Sequence, residues 1–283
     1  AAPWQTYDEL AESYRRFFPG KQVTPVVMAS PSCYLDIGNS YALEEAKAHG
    51  LPAYYCTNWD SDEEEILGAL KNGFVGIKPY QNNSPSWIPA ADVRIFDFLT
   101  PRQLELMDRI GGIVMLHIPR ALRLRDPINL HQMMEIDEKY PNAKVVIAHI
   151  GRAYVPEDLG NAFDTLKNSK HLYFDFSANC SKDAMEALFT NIGTERIMFG
   201  SDMPFTCMRM YRIDDGGKYV NVVPRGLYGG VDSDPRESDE KNITTFMYEE
   251  LLALRATAEK LGLDRADIEK IMHGNAARLF GID

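Results

Sequence analysis

Apolar residues recur along the chain in short, continuous, β-branched runs at 23–29, 53–57, 74–79, 113–118, 144–150, 172–177 and 197–202. Runs with so little alternation suit strands covered on both faces, as in a parallel sheet. Helical segments fit between them. Ser61 with Glu64 reads as a capping box, and Asn72-Gly73 ends that helix. Thr100-Pro101 with Gln103 makes a second box, closed by Gly111-Gly112. Asp126-Pro127 opens a helix that stops at Tyr140-Pro141, and Ser181 opens another that stops at Gly193. A helix over 8–18 precedes the first visible strand, and helices over 244–261 and 265–273 close the chain.

Each strand follows the last at roughly βαβ spacing. Two segments break the rhythm, 81–99 and 204–242, and both leave strand ends, where functional loops of α/β folds belong. An open doubly wound sheet would announce a Gly-rich phosphate loop, and none is present. The expected fold is therefore an α/β chain of the TIM (β/α)8 barrel type. A barrel needs eight strands and the visible chain supplies seven, so the missing one is expected to be the first, upstream of Ala1. Composition does not shift anywhere, so 1–283 is expected to be one barrel domain, with 204–242 a long loop over its mouth.

Composition narrows the partners. The chain has 283 residues, 45% of them apolar and 11% aromatic, enough to build a real core and to exclude bulk disorder. With 30 Lys+Arg against 41 Asp+Glu, the net charge is −11 and no basic stripe exists, so a nucleic-acid partner is not expected. No apolar stretch approaches the roughly 20 residues a bilayer needs, so a membrane is not expected either. The cysteines Cys33, Cys56, Cys180 and Cys207 form no CxxC, and no signal peptide is visible. Both features suit a reducing compartment, and the cytoplasm is the expected location.

Polar groups close the apolar runs. Lys78, His117 and His149 end three of them, Asp175 and Ser177 lie at the end of a fourth, and Ser201 and Asp202 end a fifth. In a parallel barrel these groups converge at the carboxyl mouth, where barrel enzymes do their chemistry. Unpaired burial costs several kcal/mol, so convergence implies mutual pairing or a metal. A single histidine near a core is usually structural, but His117 and His149 repeat one position in successive strands. With Asp202 they offer ligands suited to a divalent transition metal. Lys78 is read equally well as a site residue or a salt-bridge lysine. Arg120 and Arg152 each follow a strand-end histidine by three residues, and Arg209 and Arg212 follow Asp202. Guanidinium groups grip carboxylates bidentately, which favours a carboxylate-bearing small molecule over mere surface charge.

Six segments together resemble the amidohydrolase-related family of the amidohydrolase superfamily: Phe74-Val-Gly-Ile-Lys-Pro-Tyr80, Leu116-His-Ile-Pro-Arg120, Ile147-Ala-His-Ile-Gly-Arg152, Tyr173-Phe-Asp-Phe-Ser177, Met198-Phe-Gly-Ser-Asp-Met-Pro204 and His273-Gly-Asn-Ala-Ala-Arg-Leu-Phe280. They stand in family order. The resemblance implies a (β/α)8 barrel with a divalent metal, usually zinc, at its mouth. It implies metal ligation by His117, by His149 (which alternatively polarises the substrate) and by Asp202. Lys78 looks like the fourth-strand lysine of the branch that leaves it unmodified. The family's first-strand His-x-His has no counterpart here, so metal occupancy in this chain is expected to be low or zero.

The expected activity is metal-dependent hydrolysis of an ester, lactone or amide of a small carboxylate-bearing compound. A metal would lower the pKa of bound water toward ~7. Asp202 would handle the proton, His149 would stabilise the oxyanion, and Lys78, Arg120, Arg152 and Arg209 would orient the substrate. Two alternatives stand beside it. One is non-oxidative decarboxylation of an unsaturated or aromatic acid, which the same family performs; the other is a non-catalytic carboxylate-binding barrel. Tyr211, Tyr219 and Tyr228 in 204–242 suit a cover over an apolar ligand, or equally a homodimer contact.

Overall fold

The computed structural model describes residues 6–30, 34–228 and 236–282. Seven strands form one sheet: β1 (Val27–Met28), β2 (Ala53–Thr57), β3 (Gly76–Pro79), β4 (Ile113–Leu116), β5 (Lys144–Ile147), β6 (Tyr173–Asp175) and β7 (Ile197–Met198). They pair in sequence order, every neighbour parallel. The sheet curls as a TIM barrel does but is one strand short, and among the described residues no pairing of β7 with β1 closes it.

Register sorts the side chains. Cys56 pairs with Lys78, Gly76 with Ile113, Met115 with Val146, Val146 with Tyr173 and Asp175 with Met198, so these share one face. Ile77, Val114, Leu116, Val145, Ile147, Phe174 and Ile197 take the other face and join the main hydrophobic cluster with the surrounding helices. The first set lines the inside of the curl. Tyr54, Ile113, Val146 and Met198 fill it with Leu279 of the last helix, Asn275–Phe280. The sheet is tight at Gly76, where a β-carbon would lie 2.5 Å from the carbonyl oxygen of Ile113.

Helix starts follow local chemistry. Thr100 and Gln103 form the expected box for Pro101–Ile110, and Asp126 caps Pro127–Lys139. At the next helix over, Asp62 rather than Ser61 caps Glu63–Lys71. The Ser61 hydroxyl instead donates to the Glu65 side chain and accepts from the Asn58 N–H, so it braces the turn before the helix.

Two departures bear on the site. The helix Tyr7–Phe17 and the residue after it link the two edges of the sheet. Tyr7 stacks on His49, which ends the helix after β1, at a centroid distance of 3.8 Å. At the other end the Tyr14 hydroxyl lies 2.7 Å from Ser201 Oγ, and Phe18 packs edge-on against Phe199 just beyond β7. The segment 204–242, expected as a loop, carries its own three-stranded sheet of β8 (Tyr211–Asp214), β9 (Tyr219–Pro224) and β10 (Arg236–Ser238). β8 and β9 are antiparallel, because Asp215-Gly216-Gly217-Lys218 supplies a tight turn with two positive φ values between them. No helix among the described residues is long and apolar enough to cross a membrane.

Candidate active site at the carboxyl end of the sheet

The chain leaves the sheet through strained turns. Among the described residues, every non-glycine residue with a left-handed φ lies after β4, β5, β6 or β7: Arg120, Arg123, His149, Ile150, Arg152, Ala178 and Asp202. Such conformations cost about 1–2 kcal/mol each for residues with a β-carbon, and they gather where a fold must aim side chains. His149 shows the effect. Strand alternation alone would send it to the helix-packed face with Ile147. Four successive left-handed residues, His149 to Arg152, turn it inward instead. Gly151 belongs to this turn because a β-carbon there would meet Leu124 Cδ1 at 2.4 Å.

Lys78, His117, His149, Asp175 and Asp202 come together at this end. The His117 and His149 rings meet edge to face with centroids 5.2 Å apart. Lys78 is buried, and burial lowers its pKa against the opposing pull of Asp175, Cys56 and Asp202. Burial, then His149, Lys78 and Arg152, hold His117 well below the usual imidazole range, so it stays neutral. Asp202 is partly exposed, yet desolvation raises its pKa; Asp175 raises it further, while His149, Lys78 and Arg212 pull it back.

Asp175 is buried and organises the turn. Its Oδ1 accepts the His149 N–H at 2.9 Å, the Ser177 N–H at 3.0 Å and the Ser177 hydroxyl at 2.6 Å. The His149 Nδ1 lies 2.9 Å from the Ser177 carbonyl oxygen and 2.8 Å from Ser177 Oγ. A carbonyl only accepts, so Nδ1 carries a proton, and in the neutral ring Nε2 presents a lone pair.

The arginines divide. Arg120 is committed to Asp126 and Arg123 to Asp158. Arg209 donates to the carbonyls of Ile243 and Lys241, which fastens the end of 204–242. Arg152 donates Nη1 to the carbonyls of Ile118, Pro119 and Arg120 and acts on His117. Arg212 donates Nη1 to the Ala178 carbonyl and Nε to Asn221. Its guanidinium carbon lies 4.2 Å from the Tyr154 ring centroid and 4.7 Å from that of Tyr219. Of Arg209 and Arg212, Arg212 is the one whose charge acts on Asp202. Neither Tyr154 nor Asp175 had been assigned a role from the sequence, and Ser177 had been noted only as a strand end.

The residues do not fit the zinc that the family resemblance implies. Among the described residues, no group of three or more His, Cys, Asp or Glu side chains is placed to hold one ion, so His117, His149 and Asp202 do not close into the expected ligand set. Of the cysteines, Cys180 and Cys207 are free thiols; Cys33 lies outside the described residues.

Comparison with known proteins agrees with this architecture. A family model described as Amidohydrolase matches residues 5–216. No curated protein matches the chain. An amidohydrolase from Burkholderia multivorans with bound HEPES superposes with a TM-score of 0.65 at 13% identity, covering 99% of this chain and 89% of that one. A second crystal form of that protein, with bound zinc, gives 0.63 at 13% identity over the same shares. A probable 2-pyrone-4,6-dicarboxylic acid hydrolase from Acinetobacter baumannii, with citric acid bound, gives 0.60 at 16% identity, covering 100% and 92%. A 2,6-dihydroxybenzoate decarboxylase complexed with 2,6-dihydroxybenzoate gives 0.54 at 16% identity, covering 88% and 76%. At such identities the likeness establishes a shared fold.

Proposed function

This chain belongs to the amidohydrolase family, and from that premise we propose that it hydrolyses an ester, lactone or amide bond in a small carboxylate-bearing compound. The observation that carries the reading is Asp202. It is a largely desolvated carboxyl on a partly exposed residue at the sheet mouth, and burial raises its pKa, which strengthens it as a base. Asp202 accepts a proton as water adds its oxygen to the carbonyl carbon, then returns that proton to the leaving oxygen or nitrogen. Lys78 supplies positive charge for the oxyanion. His149, fixed through Nδ1 by Ser177, offers its Nε2 lone pair to the attacking water and orients it. Arg152 and Arg212 orient the substrate carboxylate, with Tyr154 and Tyr219 flanking the Arg212 guanidinium.

The same raised pKa supports a second reading. A protonated Asp202 can deliver its proton to a ring or vinyl carbon as the C–C bond to the carboxylate breaks and carbon dioxide leaves.

Both readings are tested by incubating the protein with paired small lactones, esters and amides, each with and without a carboxylate, and with aromatic and unsaturated acids. Consumption of the carboxylate-bearing members with gain of one water supports hydrolysis. Carbon dioxide release without water addition replaces it with decarboxylation. Binding without turnover replaces both with a carboxylate-binding barrel.

A further inference from the structure

Glu250 lies on the helix Phe246–Leu261, outside every motif that marked the site, yet it is wholly buried. One of its oxygens accepts the Ala178 N–H at 2.7 Å, and the other, Oε1, has no hydrogen-bond partner. A buried carboxyl with one unmet oxygen is costly to keep unless its single bond matters.

That bond lands on a junction. Ala178 sits at φ +49°, a strained conformation for a residue with a β-carbon. Its own carbonyl accepts Arg212 Nη1 at 3.0 Å. The carbonyl before it, Ser177, holds His149 Nδ1. The side chain after it, Asn179, donates to the Ala153 carbonyl at 2.8 Å and reaches the His149 carbonyl at 3.4 Å. Three consecutive residues thus hold the imidazole, the guanidinium and the left-handed turn that aims the imidazole. No covalent feature forces Ala178 into this conformation, and without Glu250 its buried N–H would have no acceptor.

We propose that Glu250 is a positioning residue that pins the 177–179 turn through the Ala178 N–H and so sets His149 and Arg212 together. The inference rests on the hydrolase reading for its kinetic consequence but not for its structural one. Burial also favours the neutral acid at Glu250, so no ion is needed behind the site and an amide can replace it.

The test compares E250L, which keeps bulk but removes the acceptor, with E250Q, which keeps an oxygen for Ala178. E250L is expected to lower kcat by up to about 100-fold, the scale of a small misplacement of reacting groups. It should also raise KM for a carboxylate substrate more than for its neutral ester, because Arg212 is released. Its His149 nitrogen NMR signals should move away from the single tautomer protonated at Nδ1. E250Q should restore all three, and A178G, which relieves the strained φ, should partly rescue E250L. An E250L that loses kcat with unchanged KM selectivity and unchanged His149 signals overturns the proposal, as does an E250Q as impaired as E250L. Rapid deuterium exchange at the wild-type Ala178 amide overturns it without any variant. Absence of hydrolysis in the wild type defeats the hydrolase reading alone, because the His149 signals and the amide exchange are still read.

Discussion

The Arg212 guanidinium stacks on Tyr154 at 4.2 Å while its Nη1 holds the Ala178 carbonyl. A strand of the 204–242 segment is thereby joined to the loops after β5 and β6. Arg209, three residues earlier, spends its Nε and Nη2 on backbone carbonyls. The two arginines should therefore respond differently to substitution. Arg212→Met is expected to raise KM at least about tenfold for a carboxylate substrate and hardly at all for the neutral ester, since charge-assisted hydrogen bonds contribute about 1.5–3 kcal/mol. Arg209→Met should leave that selectivity alone and lower Tm. Steady-state kinetics on both substrates and a melting curve check the pair; equal selectivity changes in both variants would refute the division.

Two carboxyl groups tie stability to pH. Burial raises the pKa of Glu250 well above its ordinary 4.5, with Asp175 and Asp202 adding to the effect, and burial raises that of Asp202. Each group holds its proton more tightly folded than unfolded. Its contribution is therefore complete below the unfolded value and is lost as pH rises through the raised folded value. Glu250→Gln removes one such loss. Its Tm should match the wild type in mild acid and exceed it at neutral and alkaline pH. A Tm difference that stays constant across that range would contradict the assignment.

Packing inside the curl makes a sharper stability contrast. Gly76→Ala drives a β-carbon into the Ile113 backbone of the neighbouring strand. The expected cost is about 3 kcal/mol or outright failure to fold. Gly68→Ala, in the helix Glu63–Lys71 with open space around it, should instead stabilise by about 0.5–1 kcal/mol. Denaturant titrations of the two variants measure both signs.

The sheet was legible because β2 to β7 are mostly buried on both faces, so they read as apolar runs, while β1 at the edge is half-exposed and much shorter than its run. Thr100, Asp126 and Ser181 were legible because capping is local. Ser61 misled because it and Asp62 are both competent caps one residue apart. The 204–242 sheet was missed although Tyr211–Asp214 and the Val-rich Tyr219–Pro224 flank a Gly-Gly turn, because length outweighed pattern. At the site, Lys78, His117 and Asp202 could be read from strand ends. Glu250 could not, since the residue it contacts is 72 positions away and its own helix reads as an ordinary amphipathic one. The pairing of Arg120 with Asp126 was not legible either, because Asp126 already had a visible task as a helix cap.

The central claim is that Asp202 moves the proton when water adds to the substrate. Its most direct measurement is the single-turnover rate of Asp202→Asn on the best hydrolysed substrate, with Tm and substrate Kd taken on the same preparation. General acid–base catalysis contributes about 100- to 10,000-fold, so a loss of that size with Tm and Kd little changed is the predicted result. A variant that binds, stays folded and turns over within about threefold of the wild type would contradict it.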